Sequence, residues 1–373
     1  MIRTLTLPGH VSPLALLPPL LLMLSACSPR VGSSPSPPGA VPQSIIFLIA
    51  DGAGPAHWTL AAFADEELAV RQMKTVGLID TRGFDHTVSG SAPTATAYAT
   101  GVRSRMGMVG VGPDSLPRET VLEAAMERGM STGLMTTTAI VDATPAAFGA
   151  HRVRRSDSGI IARQMSTKGI DVLMGGGRAA FRAGAQPDAI DLLAEVRQKY
   201  TYVESIDELR RLDLASVDRL LGLFAEGDMG VVSARGAALH DMTTAALRIL
   251  GRNPNGFFLM IENEESDTQA HANAPAEVVI REMLDFDGAV RLALEYQADH
   301  PQTLVLVTGD HETGGISLTY DQRREVVMQY ASGAHTGVLI PIFASGPGAE
   351  RFGGIIRNDE VGRALIELVR ARR

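Results

Sequence analysis

Cysteine is almost absent from this chain of 373 residues: Cys27 is the only one, so an internal disulfide or a thiolate metal cluster is excluded. Aromatic residues make up only 5 % and the formal net charge is −8, so no basic field exists to hold a polyanion. No nucleic-acid-binding surface is expected. The longest early apolar stretch, Leu14 to Leu24, is too short and too interrupted by proline for a membrane span. What the chain does have is apolar bulk: 45 % of it is hydrophobic, enough for a sizeable core in one large or two medium domains.

The N-terminus reads as a targeting segment, with Arg3 ahead of the apolar stretch and Leu24-Ser25-Ala26-Cys27 at its end. That tetrapeptide resembles a bacterial lipobox, which implies cleavage after residue 26 and lipidation of Cys27. Residues 27–43, rich in Pro, Ser and Gly, read as a flexible tether, and 44–373 as one catalytic domain. The expected location is the bacterial cell envelope, with the protein held to a membrane through lipid on Cys27.

From Ser44 onward, strand-like and helix-like segments alternate. Strands are expected at Ser44–Ala50, Ser131–Thr136, Ile170–Leu173, Phe257–Ile261, Thr303–Val307 and Val338–Ala344. Helices are expected at Pro55–Glu67, Val121–Arg128, Asp188–Tyr200, Met242–Leu250, Pro275–Ala298 and Asp359–Arg370, with a turn at Gly175-Gly176-Gly177. Such alternation predicts an α/β fold, a three-layer α/β/α sandwich with a mainly parallel central sheet.

Chemistry concentrates beside the strands. Asp51 follows the first; Glu262, Asp267 and His271 follow Phe257–Ile261; Asp310 and His311 follow Thr303–Val307; His335 precedes Val338. Functional groups in open parallel sheets gather beyond the carboxyl ends of strands, and imidazole with carboxylate suits a divalent metal where thiols are missing. Asp267 and His271 are four apart, so one helical turn puts them on one face. Ser91-Ala92-Pro93 has the form of a helix start. Ser91 reads either as a plain N-cap or as a nucleophile where backbone N–H groups favour an anion. Asp142 and Thr144, before Pro145, suit an Asx-turn as well as a ligand pair.

The segments IIFLIADGAG, SAPTATAYATGVRS, DATPAAFGAHRVRR, LGLFAEGDM, FFLMIENEESDTQAH, TLVLVTGDH and AHTG, in this order, resemble those of bacterial alkaline phosphatases from about Ser44 to the final helix. The resemblance implies a phosphate monoesterase acting through a phosphoserine on Ser91, at a site of two Zn2+ and one Mg2+. Asp267, His271 and His335 would hold one zinc, and Asp51, Asp310 and His311 the other. Asp51, Asp142, Thr144 and Glu262 would hold magnesium. Arg155, four residues after His151, would bind phosphate with its planar fork. Small phosphate monoesters are the implied substrates, and a homodimer is a family expectation. Competing readings are a phosphodiesterase of the same superfamily and a catalytically silent phosphate-binding surface lipoprotein.

Two positions depart from the pattern: Gly90 where many members carry Asp, and Thr268 where they carry Lys or His. With no carboxylate at 90 to hold it, Arg155 is expected to be loosely placed.

Overall fold

The structure is a computed structural model describing residues 39–186 and 190–371. The expected signal segment, Cys27 and most of the tether lie outside the described residues. Among the described residues fourteen strands occur in chain order: β1 Ser44–Ala50, β2 Thr75–Asp80, β3 Ser131–Ala139, β4 Val172–Gly176, β5 Thr201–Val203, β6 Leu220–Leu223 and β7 Phe257–Asn263. Then come β8 Thr303–Thr308, β9 Glu312–Thr313, β10 Ile316–Tyr320, β11 Val326–Tyr330, β12 His335–Thr336, β13 Ile340–Ser345 and β14 Gly354–Arg357.

Ten of them form one sheet in the order β14-β2-β13-β8-β1-β7-β3-β4-β6-β5. All pairings are parallel except those of β13, which runs antiparallel to both β2 and β8. The expected mainly parallel α/β architecture is what the chain adopts.

The continuous apolar run of β1 has a simple cause: both its faces are covered. Ile45, Phe47 and Ile49 enter one core while Ile46, Leu48 and Ala50 enter the other. β7 and β8 divide in the same way, with Phe258 and Leu306 on one face and Leu259 and Val307 on the opposite one. Helices Ser91–Thr100, Val121–Glu127 and Asn358–Arg370 supply one layer, and Ala238–Leu250 with Ala276–Asp299 the other. A period of two with both faces buried erases the polar alternation of an exposed sheet.

Several boundaries differ from expectation. The helix from Pro55 stops at Ala64, with Asp65 extended behind it. Of Asp188–Tyr200 only Leu192–Val196 is helical among the described residues, capped by Asp191, whose side chain accepts the Leu193 N–H. β4 starts two residues late and runs through Gly175 and Gly176, because a buried parallel strand tolerates glycine where neighbouring backbone comes close; only Gly177 has a left-handed φ, +87°. The last expected strand shifts to Ile340–Ser345. β2, β5, β6, β9, β10, β11, β12 and β14 are not among the expected strands: β6 is buried but only four residues long, and the others are very short or partly exposed.

Phe47 ties the central strand to the layer above it. Its ring meets Tyr98 edge-on with centroids 5.5 Å apart and Phe148 at 6.3 Å. Phe47→Ala is therefore expected to destabilise the fold by ~3–5 kcal/mol through cavity formation. Urea unfolding of the full chain checks this; a loss below ~1 kcal/mol would contradict the packing described.

Candidate active site

β1 is flanked by β7 and β8, and register places their ends level. Ile49 is paired with Glu262 on one side and with Thr308 on the other. Asp51, Glu262 and Asp310 therefore emerge side by side at the carboxyl edge. Backbone bonds then fix the turns: Asp51 N–H donates to the Asn263 carbonyl at 2.9 Å and Gly52 N–H to Asp310 Oδ1 at 3.0 Å. Gly52 has φ +69°, and a Cβ there would lie 2.6 Å from Asp267 Oδ1, so a side chain is excluded twice over.

Two groups of ligand-type atoms result, each with all its atoms within 4.8 Å of one another: Asp51, Asp310 and His311, and Asp267, His311 and His335. In the first, His311 Nε2 lies 3.4 Å from Asp51 Oδ1 and 3.3 Å from Asp310 Oδ2. These same three atoms are buried and have no hydrogen-bond partner. His271 joins the second group, its Nε2 being 3.0 Å from His335 Nε2 and 3.2 Å from Asp267 Oδ2. His311 thus stands between the two groups, stacked on His335 with ring centroids 3.7 Å apart.

The imidazoles are aimed from behind. His271 Nδ1 lies 2.8 Å from the Gly333 carbonyl and His335 Nδ1 2.8 Å from the Ser89 carbonyl. A carbonyl only accepts, so Nδ1 carries a proton and it is Nε2 that faces the cluster, the atom a metal would take in place of a proton. Without a cation the cluster is electrostatically frustrated. Burial, then the charges of Asp310, Asp267 and Glu262, push the Asp51 carboxyl well above its ordinary range. Burial, with Asp142 nearby, raises Glu262 to about 8. The donor set and its unpartnered atoms fit divalent cations.

A third set lies beyond Asp51. Thr144 Oγ1 and Glu262 Oε1 are buried without partners, while Glu262 Oε2 accepts from Thr136 Oγ1 at 2.5 Å. Asp142, the N-cap residue of helix Ala143–Gly149, has a different engagement: its two oxygens accept from Arg155 Nη2 at 2.9 and 2.7 Å. The expected looseness of Arg155 is thereby corrected, because Asp142 holds the guanidinium that a carboxylate at 90 would otherwise hold. The neighbouring arginines turn elsewhere, Arg152 and Arg154 both to Asp157.

Ser91 opens the helix Ser91–Thr100, all ten residues of which are buried, and Gly90 is its N-cap. The plain-cap reading of Ser91 is thus off by one residue. Tyr98 on this helix donates its Oη–H to the Gly309 carbonyl at 2.9 Å, tying the serine's helix to the loop that carries Asp310. No carboxylate or imidazole is hydrogen-bonded to Ser91 among the described residues.

Other participants gave no clear sequence signal. Thr313 Oγ1 donates to Asp267 Oδ1, and Thr268 Oγ1 donates to Glu264 Oε1 at 2.5 Å. Burial raises Glu264 to about 8. Glu123, capping the helix Val121–Glu127 with Thr120, meets His151 Nε2 at 2.8 Å and also Lys168, fixing the segment that leads to Arg155. The glutamate three residues after Thr120 was the one legible clue, as a capping-box pattern.

A serine on a buried helix start, beside one fully buried and one partly exposed group of carboxylate and imidazole ligands on an α/β sheet, defines a metal-dependent phosphatase. The chain belongs to the alkaline phosphatase family, whose model matches residues 43–329. It is 31 % identical to streptomycin-6-phosphate phosphatase of Streptomyces griseus over 418 aligned positions, more than the chain has residues, covering 91 % of this chain and 93 % of that one. It is 34 % identical to the repressible alkaline phosphatase of Saccharomyces cerevisiae over 80 % of this chain, yet spans only 61 % of that protein's length. The solved alkaline phosphatase of the Antarctic bacterium TAB5 superposes with a TM-score of 0.83 at 32 % identity, over 89 % of this chain and all of that one. A variant of that enzyme carries Mg in its M3 site.

Glu123 yields a pH prediction. Burial pushes its carboxyl up, but bonds from His151 and Lys168 outweigh this and bring it down to about 2 from an ordinary 4.5. Its stabilisation is therefore complete above about 4.5 and is lost as pH falls toward 2. Urea unfolding of wild type and Glu123→Gln between pH 6 and 3 should show a stability gap that narrows only below about 4.5; a gap independent of pH would refute the assignment.

Proposed function

We propose that this protein hydrolyses phosphate monoesters through a phosphoserine intermediate on Ser91, with two Zn2+ and one Mg2+ as resident ions. The observation carrying this reading is the convergence of one unpartnered buried atom each from Asp51, Asp310 and His311 at the end of the sheet that also seats Ser91. One zinc would be held by Asp51, Asp310 and His311, the other by Asp267, His271 and His335. Magnesium would be held by Asp51, Thr144 and Glu262, with Asp142 at its border. When bound, such ions lower the pKa of a hydroxyl or water and neutralise charge on attacking and leaving oxygens.

The chain's own groups do the rest. Ser91 Oγ attacks phosphorus in line, forming a P–O bond as the ester P–O bond breaks and the alcohol leaves; water then attacks the phosphoserine, returning Ser91 and releasing phosphate. The first-turn N–H groups behind Ser91 favour the anionic phosphate. Arg155 offers the edge of its guanidinium not occupied by Asp142 to two phosphate oxygens, which stabilises charge in the transition state. Supporting the monoester reading over a diesterase is the retention of both Arg155 and the Ser91 segment.

Hydrolysis of p-nitrophenyl phosphate at alkaline pH is the test. Activity should require zinc and magnesium, be abolished by chelator, and fall at least ~10³-fold in Ser91→Ala. Purified, metal-reconstituted protein without chelator-sensitive turnover would overturn the reading, and faster turnover of a diester would favour the diesterase.

We further propose that Cys27 is lipidated and anchors the enzyme in the cell envelope, a reading supported by Leu24-Ser25-Ala26-Cys27 behind the apolar stretch. Palmitate labelling and membrane fractionation should both be lost in Cys27→Ser. Equal labelling of the variant would sink the anchor.

A further inference from the structure

The rim beside Ser91 is apolar and firmly built. Residues 105–108 make a tight turn, with Met108 N–H donating to the Arg105 carbonyl at 3.2 Å and Gly107 at φ +75°. The turn is pinned on two sides. The Gly107 carbonyl accepts from Arg155 N–H at 2.8 Å, and the Met108 carbonyl accepts from Thr96 Oγ1, on the serine's own helix, at 3.1 Å. So strongly fixed a turn still leaves the Met106 side chain 55 % exposed.

That side chain lies over the residue before the serine. A Cβ built on Gly90 would stand 3.2 Å from Met106 Cε and 3.3 Å from His335 Cε1, so methionine methyl and imidazole meet above Gly90. Val88, two residues before Gly90, has its Cγ2 within 3.6 Å of a Cβ built on Gly337, and Val88 and Val338 are 42 % and 45 % exposed. None of the three belongs to either core. Apolar side chains held exposed at fixed positions gain when a ligand covers them. Because His335 borders both Met106 and the ligand cluster, Met106 stands on the side of the cluster where Gly90 leads into Ser91.

We propose that Met106, together with Val88 and Val338, forms a shelf that receives the alcohol portion of the substrate and selects phosphate monoesters of apolar alcohols over those of small polar ones. The shelf rests on the monoesterase reading above and adds a substrate class to it. The flexible, polarisable thioether adapts to alkyl and aryl groups alike.

The test uses the metal-reconstituted full chain with ethyl phosphate and hexyl phosphate, whose leaving alcohols have similar basicity. Wild type should favour the hexyl ester in kcat/KM by about tenfold, and Met106→Gln should bring the ratio close to one. Val88→Thr, an independent variant, should lower the ratio in the same direction by a smaller factor. A wild-type ratio near one, or a ratio that survives in Met106→Gln, overturns the shelf. So does a matching loss of affinity for inorganic phosphate, which has no alcohol part and would report damage to the phosphate site instead. If wild type hydrolyses neither ester, it is the monoesterase reading that has failed.

Discussion

Mutual repulsion among buried carboxylates is what the architecture has to contain. Asp51, Glu262, Asp267 and Asp310 are all buried at one end of the sheet. Removing ionised carboxylates from water is costly unless each finds a counter-charge or a donor. Protein donors meet part of that demand: Gly52 N–H and His311 N–H serve Asp310 Oδ1, and Thr136 and Thr313 serve Glu262 and Asp267. The atoms left without donors face one another. Cation binding and stability are consequently one free-energy balance, because an ion that relieves the repulsion favours the folded chain over the unfolded one.

The rest of the molecule arranges rigid backing for that cluster. Each histidine is oriented by an atom outside the cluster: Gly333 behind His271, Ser89 behind His335 and Thr313 beside His311. Tyr98 joins the serine's helix to the Gly309-Asp310 loop, and Phe47 wedges that same tyrosine against the central strand. Serine and ligands are therefore referred to one core and not to separate loops, which is how sub-ångström alignment is kept at a reacting centre.

Much of this was legible in the sequence, for identifiable reasons. Strands buried on both faces, such as Ser44–Ala50 and Thr303–Thr308, leave unbroken apolar runs, and the ligands sit immediately beyond them. Short edge strands left no such trace; the pattern of β14 is mostly exposed, and β5 has only three residues. The antiparallel direction of β13 is a topological fact that no local pattern encodes. Within the site, residue types suggested the ligand groups, but not that His311 would stand between them or that Asp142 would take Arg155. Both depend on side-chain directions set by tertiary packing. Met106 was invisible because an exposed methionine in a loop carries no periodic or motif signal.

The level pairing of Ile49 with Glu262 and Thr308 makes the sheet a measuring device. A one-residue slip of either neighbour would carry a ligand about 3.3 Å along the strand and reverse its side. Insertions within these strands are thus intolerable, whereas the loops between distant ligands carry no such restriction. Length can vary in loops that pass through neither the ruler nor the buried helix that carries Ser91. The segment from His311 to His335 lies outside the ruler: it folds as a small hairpin, β10 with β11, apart from the main sheet, while the two histidines at its ends stay stacked. Chains of very different size can accordingly share one reaction centre.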